Sequence, residues 1–79
     1  MSYLTVEFPG GLRVDAKLKN HVVKTDQPVA SGGEGSAPSP FELFLSSIAT
    51  CSGIYALSFC RSKEISTEGM SISMELERN

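Results

Sequence analysis

Apolar and polar residues alternate with a period of two towards both ends of this chain and follow a helical period in between. From Tyr3 to Phe8, Leu4, Val6 and Phe8 oppose Tyr3, Thr5 and Glu7, the pattern of a half-buried strand. Pro9-Gly10-Gly11 is a turn signal, after which Leu12, Val14, Ala16 and Leu18 alternate strictly with Arg13, Asp15, Lys17 and Lys19. The two runs predict a β-hairpin with the apolar set facing inward. Asn20 marks another turn, and His21 to Lys24 reads as a short third strand that Asp26-Gln27-Pro28 ends. The segment Ser31-Gly32-Gly33-Glu34-Gly35-Ser36 is expected to be a flexible connection. Its glycines match neither of the common phosphate-loop spacings, so a plain linker is the simpler reading than an anion site.

The longest element predicted begins at Ser39-Pro40-Phe41-Glu42. Serine as N-cap, proline at the first helical position and glutamate three residues after the cap together form a capping box. No further proline follows, and Arg61 and Lys63 place cations where the helix dipole favours them. A helix near residues 39–63 results, about 23 residues and roughly 35 Å long. Phe41, Phe44, Leu45, Ile48, Tyr55 and Phe59 share one face, while Leu43, Ile54 and Leu57 lie on others. Such a helix must be covered on several sides. After a turn at Ser66-Thr67-Glu68-Gly69, Met70, Ile72, Met74 and Leu76 alternate with polar residues, which predicts a final strand near 69–78. The fold class is α+β: an N-terminal antiparallel β-meander, one long central helix and one further strand, in a single domain over residues 1–79.

Composition sharpens this in two ways. Seventy-nine residues make one small domain that struggles to bury a sufficient core alone. A helix apolar on several sides exceeds what four short strands can cover, so a homodimer is expected. A net charge of -2, with 20% charged residues, offers no basic excess for nucleic acid. The uncharged run from Leu43 to Cys60 is just long enough for a membrane span, but Ser46, Ser47, Thr50, Ser52, Gly53 and Ser58 make it too polar, so no membrane is expected. Met1 leads directly into a strand pattern without a basic and apolar leader, which points to the cytoplasm. The two cysteines are then expected as reduced thiols.

Cys51, near the middle of the helix, is the first candidate for chemistry. A thiolate is the reactive form, and burial among apolar groups raises a thiol's pKa and makes it inert. The helix dipole fades within the first turn and cannot help twelve positions beyond Ser39. A reactive Cys51 therefore needs a nearby cation; otherwise it is a small packing residue. Arg13, on the outer face of the second strand, is the best cation on offer, with a solvated surface charge as the plain alternative. Glu42 could orient such an arginine, although its place in the capping box explains it fully. Cys60 lies nine positions beyond Cys51, half a turn out of phase and roughly 13.5 Å along the axis. The pair cannot bridge within one straight helix. No metal site is expected, because His21 is the only other soft ligand. No cofactor is expected, and no serine sits at a nucleophile elbow.

The run Gly32-Gly33, then Ala37-Pro38-Ser39-Pro40-Phe41-Glu42-Leu43, then Ala49-Thr50-Cys51 resembles the OsmC/Ohr family of osmotically induced and organic hydroperoxide resistance proteins. Asp26-Gln27-Pro28 before the glycine loop fits as well, and the predicted strands fall in the family's order. The resemblance implies an intertwined homodimer and a cysteine-based peroxidase that reduces organic hydroperoxides with an external thiol reductant. It maps the peroxidatic cysteine to Cys51 and the thiolate-stabilising arginine to Arg13. The family's glutamate just after the helix-start proline corresponds to Phe41, with Glu42 one residue later and about 100° around the helix. Family members are nearly twice this length, and their second half carries the resolving cysteine, so the resemblance is to an N-terminal half. Cys60 is not at the resolving position. The alternatives to an enzyme are a binding module for a small hydrophobic ligand, in the helix-lined crevice, and a dimerisation module.

Overall fold

The structure, a computed structural model, describes residues 3–77. It is built of strands β1 (Thr5–Gly10), β2 (Arg13–Leu18) and β3 (His21–Thr25), a short 3-10 turn at Val29–Ser31, and one helix, α1 (Pro40–Ser62). The α+β class expected from the pattern is the class observed. The chain divides into two units, the first ending at Leu43 and the second beginning at Phe44.

In the first unit the strands form one antiparallel sheet in the order β1-β2-β3. Val6 pairs with Ala16 and Ala16 with Val23, so small and β-branched residues line up on one face. On the other face Glu7 stands opposite Asp15, and Asp15 opposite Lys24. Lys17 Nζ reaches Glu7 Oε1 at 2.8 Å, and this exposed ion pair raises the lysine's pKa above its usual value, chiefly through the hydrogen bond to Glu7. Such exposed pairs add little stability.

The first hairpin differs from expectation at its turn. The register runs from Glu7 opposite Asp15 to Gly10 opposite Arg13, so Phe8 and Pro9 together face Val14 in a β-bulge. Pro9, which has no N–H to give a ladder, is carried by the strand at this irregularity and not by the turn. The chain reverses instead at Gly11 and Leu12, with Gly11 at φ 58.

The predicted flexible connection is also corrected, because a carboxylate holds it in place. Asp26, 1% exposed, accepts the Gln27 amide on Oδ1 at 2.7 Å. Its Oδ2 accepts the amides of Glu34 (3.3 Å) and Ser36 (3.1 Å) and the Ser36 hydroxyl (2.7 Å). Backbone bonds from Gly33 to Pro28 and from Gly35 to Gln27 close the loop further. Gly33 is required here, since a Cβ would lie 2.0 Å from the Gln27 carbonyl oxygen. The Asp26 amide bonds to the Pro38 carbonyl at 3.1 Å, which ties the end of β3 to the residues that open α1.

The capping box forms as predicted. The Glu42 amide donates to Ser39 Oγ at 3.2 Å and the Ser39 amide donates to Glu42 Oε1 at 3.0 Å. At the other end, the Ile65 amide reaches the Cys60 carbonyl (2.8 Å) and the Glu64 amide the Arg61 carbonyl (3.3 Å), with Glu64 at φ 56. This is a Schellman stop with glutamate at the left-handed position that glycine usually takes. Within α1 the hydroxyls of Ser47, Thr50 and Ser62 donate to carbonyls of the preceding turn. By length and composition α1 could also cross a bilayer, a property it shares with the core helices of soluble proteins.

Two further expectations meet this chain's limits. The turn before Met70 forms, with the Met70 amide on the Thr67 carbonyl and Gly69 at φ 75, but the expected strand does not follow it. Residues 70–77 have no regular structure, and Arg78 lies outside the described residues. A strand exists only by pairing, and this segment has no ladder partner among the described residues. Covering of the helix on several sides is likewise missing: no residue of α1 is buried, and no apolar residue is buried among the described ones. Thr25, whose hydroxyl donates to the Val14 carbonyl, and Asp26 are the buried side chains among the described residues.

Candidate functional site

The capping box fixes where α1 begins and therefore which way each later residue faces. Phe44, Ile48, Tyr55 and Phe59 follow one another around the helix within roughly 80° of Cys51, at about 100° per residue. All four are exposed, Tyr55 by 75%. Cys51 stands at the edge of this stripe, exposed, in an open hollow lined by Ser47, Ile48, Ser52 and Tyr55. Leu45, Ala49, Gly53, Ala56, Leu57 and Cys60 occupy the opposite side of the helix and are half-buried. The thiol expected inside a buried element therefore lies on an open one in this chain, because nothing in the second unit covers that stripe. Both cysteines are free thiols. The continuous helix between them keeps them on opposite sides, out of bridging range.

Glu42 and Arg13 both belong to the first unit. Glu42 is in the first turn of α1, where one carboxylate oxygen serves the cap. Arg13 opens β2, exposed, and its Nε donates to the Gly10 carbonyl across the hairpin turn at 3.3 Å. The two are not ion-paired, and the Glu7 to Lys17 contact is the one ion pair among the described residues. His21, at the start of β3, is exposed and unengaged. No group of three or more metal-ligating side chains occurs among the described residues.

Asp26 is the residue that pattern reading passed over. Hydrogen bonds, first from the Ser36 side chain and then from its amide, lower the Asp26 carboxyl to about 2, against the partly opposing effect of burial. The glycine loop does cradle an anion, but the anion is the chain's own. An acidic residue followed by a Pro-Gly-Ser stretch with few other charges is the signal that pointed there.

A three-stranded meander that leads through a pinned glycine loop into a capped helix defines an α+β scaffold with a thiol midway along its helix. The chain belongs to the OsmC-like protein family, whose sequence profile matches residues 33–79. It is similar to a crystal structure from Psychrobacter arcticus 273-4 of a protein named for osmotic stress induction and a detoxification response. The two share 34% identity over 84% of this chain, with a TM-score of 0.75. This chain spans 50% of that protein's length. No curated protein sequence matches it.

Proposed function

We propose that this chain is the cysteine-bearing half of a thiol-dependent peroxidase acting on organic hydroperoxides. The observation that carries the reading is the position of Cys51 beside an exposed aromatic and aliphatic stripe, where the apolar part of an organic hydroperoxide would rest. Cys51 is the nucleophile: its thiolate attacks the distal peroxide oxygen, an S–O bond forms, the O–O bond breaks, and the alkoxide leaves as an alcohol after taking a proton. The sulfur is oxidised by two electrons to a sulfenic acid. One external thiol condenses with it, releasing water, and a second displaces the mixed disulfide to restore the Cys51 thiol. Arg13, from this chain or a second copy, holds the thiolate, since its terminal guanidinium nitrogens have no partner among the described residues. Glu42 sets the helix start and has one carboxylate oxygen left to orient an arginine.

The reading includes a homodimer, because the stripe needs a cover to exclude water, and an aqueous cytoplasmic setting without nucleic acid or membrane. The second reading, a non-catalytic binding module for a small hydrophobic ligand, uses the same stripe without the thiol chemistry. Adding cumene hydroperoxide and counting thiols separates the two. The peroxidase reading expects a rapid loss of one thiol per chain in the wild type and in Cys60→Ser, none in Cys51→Ser, and added oxygen on Cys51 without an intrachain bridge. A Cys51 that survives excess hydroperoxide unmodified leaves only the binding and dimerisation readings.

A further inference from the structure

The polar face of the sheet holds a cavity of about 320 Å³ in the first unit, separate from the hollow at Cys51. Arg13, Asp15 and Lys24 line it, with Thr25 and Ser36 among the other lining residues. The register explains the grouping. Arg13 and Asp15 are two apart on β2 and so share a face, and Lys24 of β3 stands opposite Asp15. Glu7, on the same face, is taken by Lys17. The Thr25 hydroxyl donates to Val14 and the Ser36 hydroxyl to Asp26, so neither has a proton to give a ligand. The free donors left are the terminal nitrogens of Arg13 and the ammonium of Lys24, neither of which has an ion-pair partner among the described residues. Among the lining side chains two cations stand against one carboxylate, and the Asp26 carboxylate behind Ser36 is already satisfied by its own four hydrogen bonds.

We infer that this cavity binds a small oxyanion, a carboxylate or a phosphate, between Arg13 and Lys24, with Asp15 limiting how much negative charge the site accepts. A guanidinium fixed at Nε presents its remaining N–H groups in one direction, and an ammonium across the strand pair supplies a second charge-assisted contact. Asp15 opposes the anion, so a singly charged group is favoured over a doubly charged one.

The site shares Arg13 with the reaction proposed at Cys51, so its test varies only Lys24 and Asp15, which that proposal does not use. Inorganic phosphate and butyrate are titrated in separate arms into the full chain at constant ionic strength, and the amide shifts of Asp15, Lys24 and Thr25 are followed by NMR. Saturable shifts are expected, together with about tenfold weaker binding in Lys24→Gln and tighter binding in Asp15→Asn. The arm that saturates first identifies the oxyanion. Chloride in a third arm should produce only a linear drift. Shifts that never saturate, or saturate equally in Lys24→Gln, or an Asp15→Asn variant that binds no tighter than wild type, overturn the inference. Amide spectra of both variants that overlay the wild type away from these strands exclude misfolding as the cause.

Discussion

At Asp26 a carboxylate accepts four hydrogen bonds while almost fully removed from water, and its effect on stability has a definite sign. Its folded pKa, about 2, is below the unfolded value of 3.8. The contribution is therefore complete above about pH 4 and lost as pH falls through the window from 3.8 to 2, where the unfolded chain binds the proton first. Asp26→Asn should remove that pH dependence and strip exchange protection from the Glu34 and Ser36 amides, measured by hydrogen exchange at pH 6 and by acid titration of the folded fraction. A variant whose acid profile superimposes on wild type would show that the loop is held by its backbone bonds alone. Sequence pattern read Asp26 only as a strand terminator. Its role depends on a fold-back of the chain by eight to ten residues, from Asp26 to Glu34 and Ser36, and no local period encodes that.

The elements divide by how local their causes are. The helix start was legible because Ser39 and Glu42 satisfy each other three residues apart, and the observed bonds are those of the predicted capping box. The strands of the meander were legible from alternation, but not the bulge at Phe8 and Pro9, which reflects register against β2. The helix stop was placed from charges alone, since Glu64 at φ 56 carries no sequence mark of a left-handed residue. That position gives a prediction: Glu64→Gly should stabilise the helix end by about 1 kcal/mol, and Ser39→Ala should destabilise the start by a similar amount. Urea unfolding of both variants checks this, with the midpoint moving up for the first and down for the second at unchanged slope. The last predicted strand had the right alternation, yet alternation describes a surface and pairing needs a partner.

For the whole molecule, eighteen large apolar residues are exposed and none is buried among the described residues. Soluble monomers do not ordinarily leave such surface open, and a chain of this size has little margin against the entropy of ordering. Association and folding should therefore be one process. Sedimentation equilibrium from 1 to 100 µM is expected to show a dimer at the upper end, with helical content falling together with mass on dilution. A folded monomer of 8.5 kDa throughout that range would overturn the expectation. The same expectation follows from sequence, because a helix apolar on several faces cannot be satisfied by short strands. What it could not give was that Cys51 would stand exposed, which follows from the absence of any cover over its stripe within the second unit.

The hydroxyls of Ser47, Thr50 and Ser62 donate back into α1, and that habit changes what a neighbour meets. A hydropathy scale counts each as a water-seeking group, as if its proton were still looking for a partner. In this helix the proton is already spent on a carbonyl one turn earlier, so what faces outward is mostly methylene and methyl. At Ser47 the hollow beside Cys51 is therefore greasier than its letters, and a surface that settles there gives up fewer water contacts than composition would suggest.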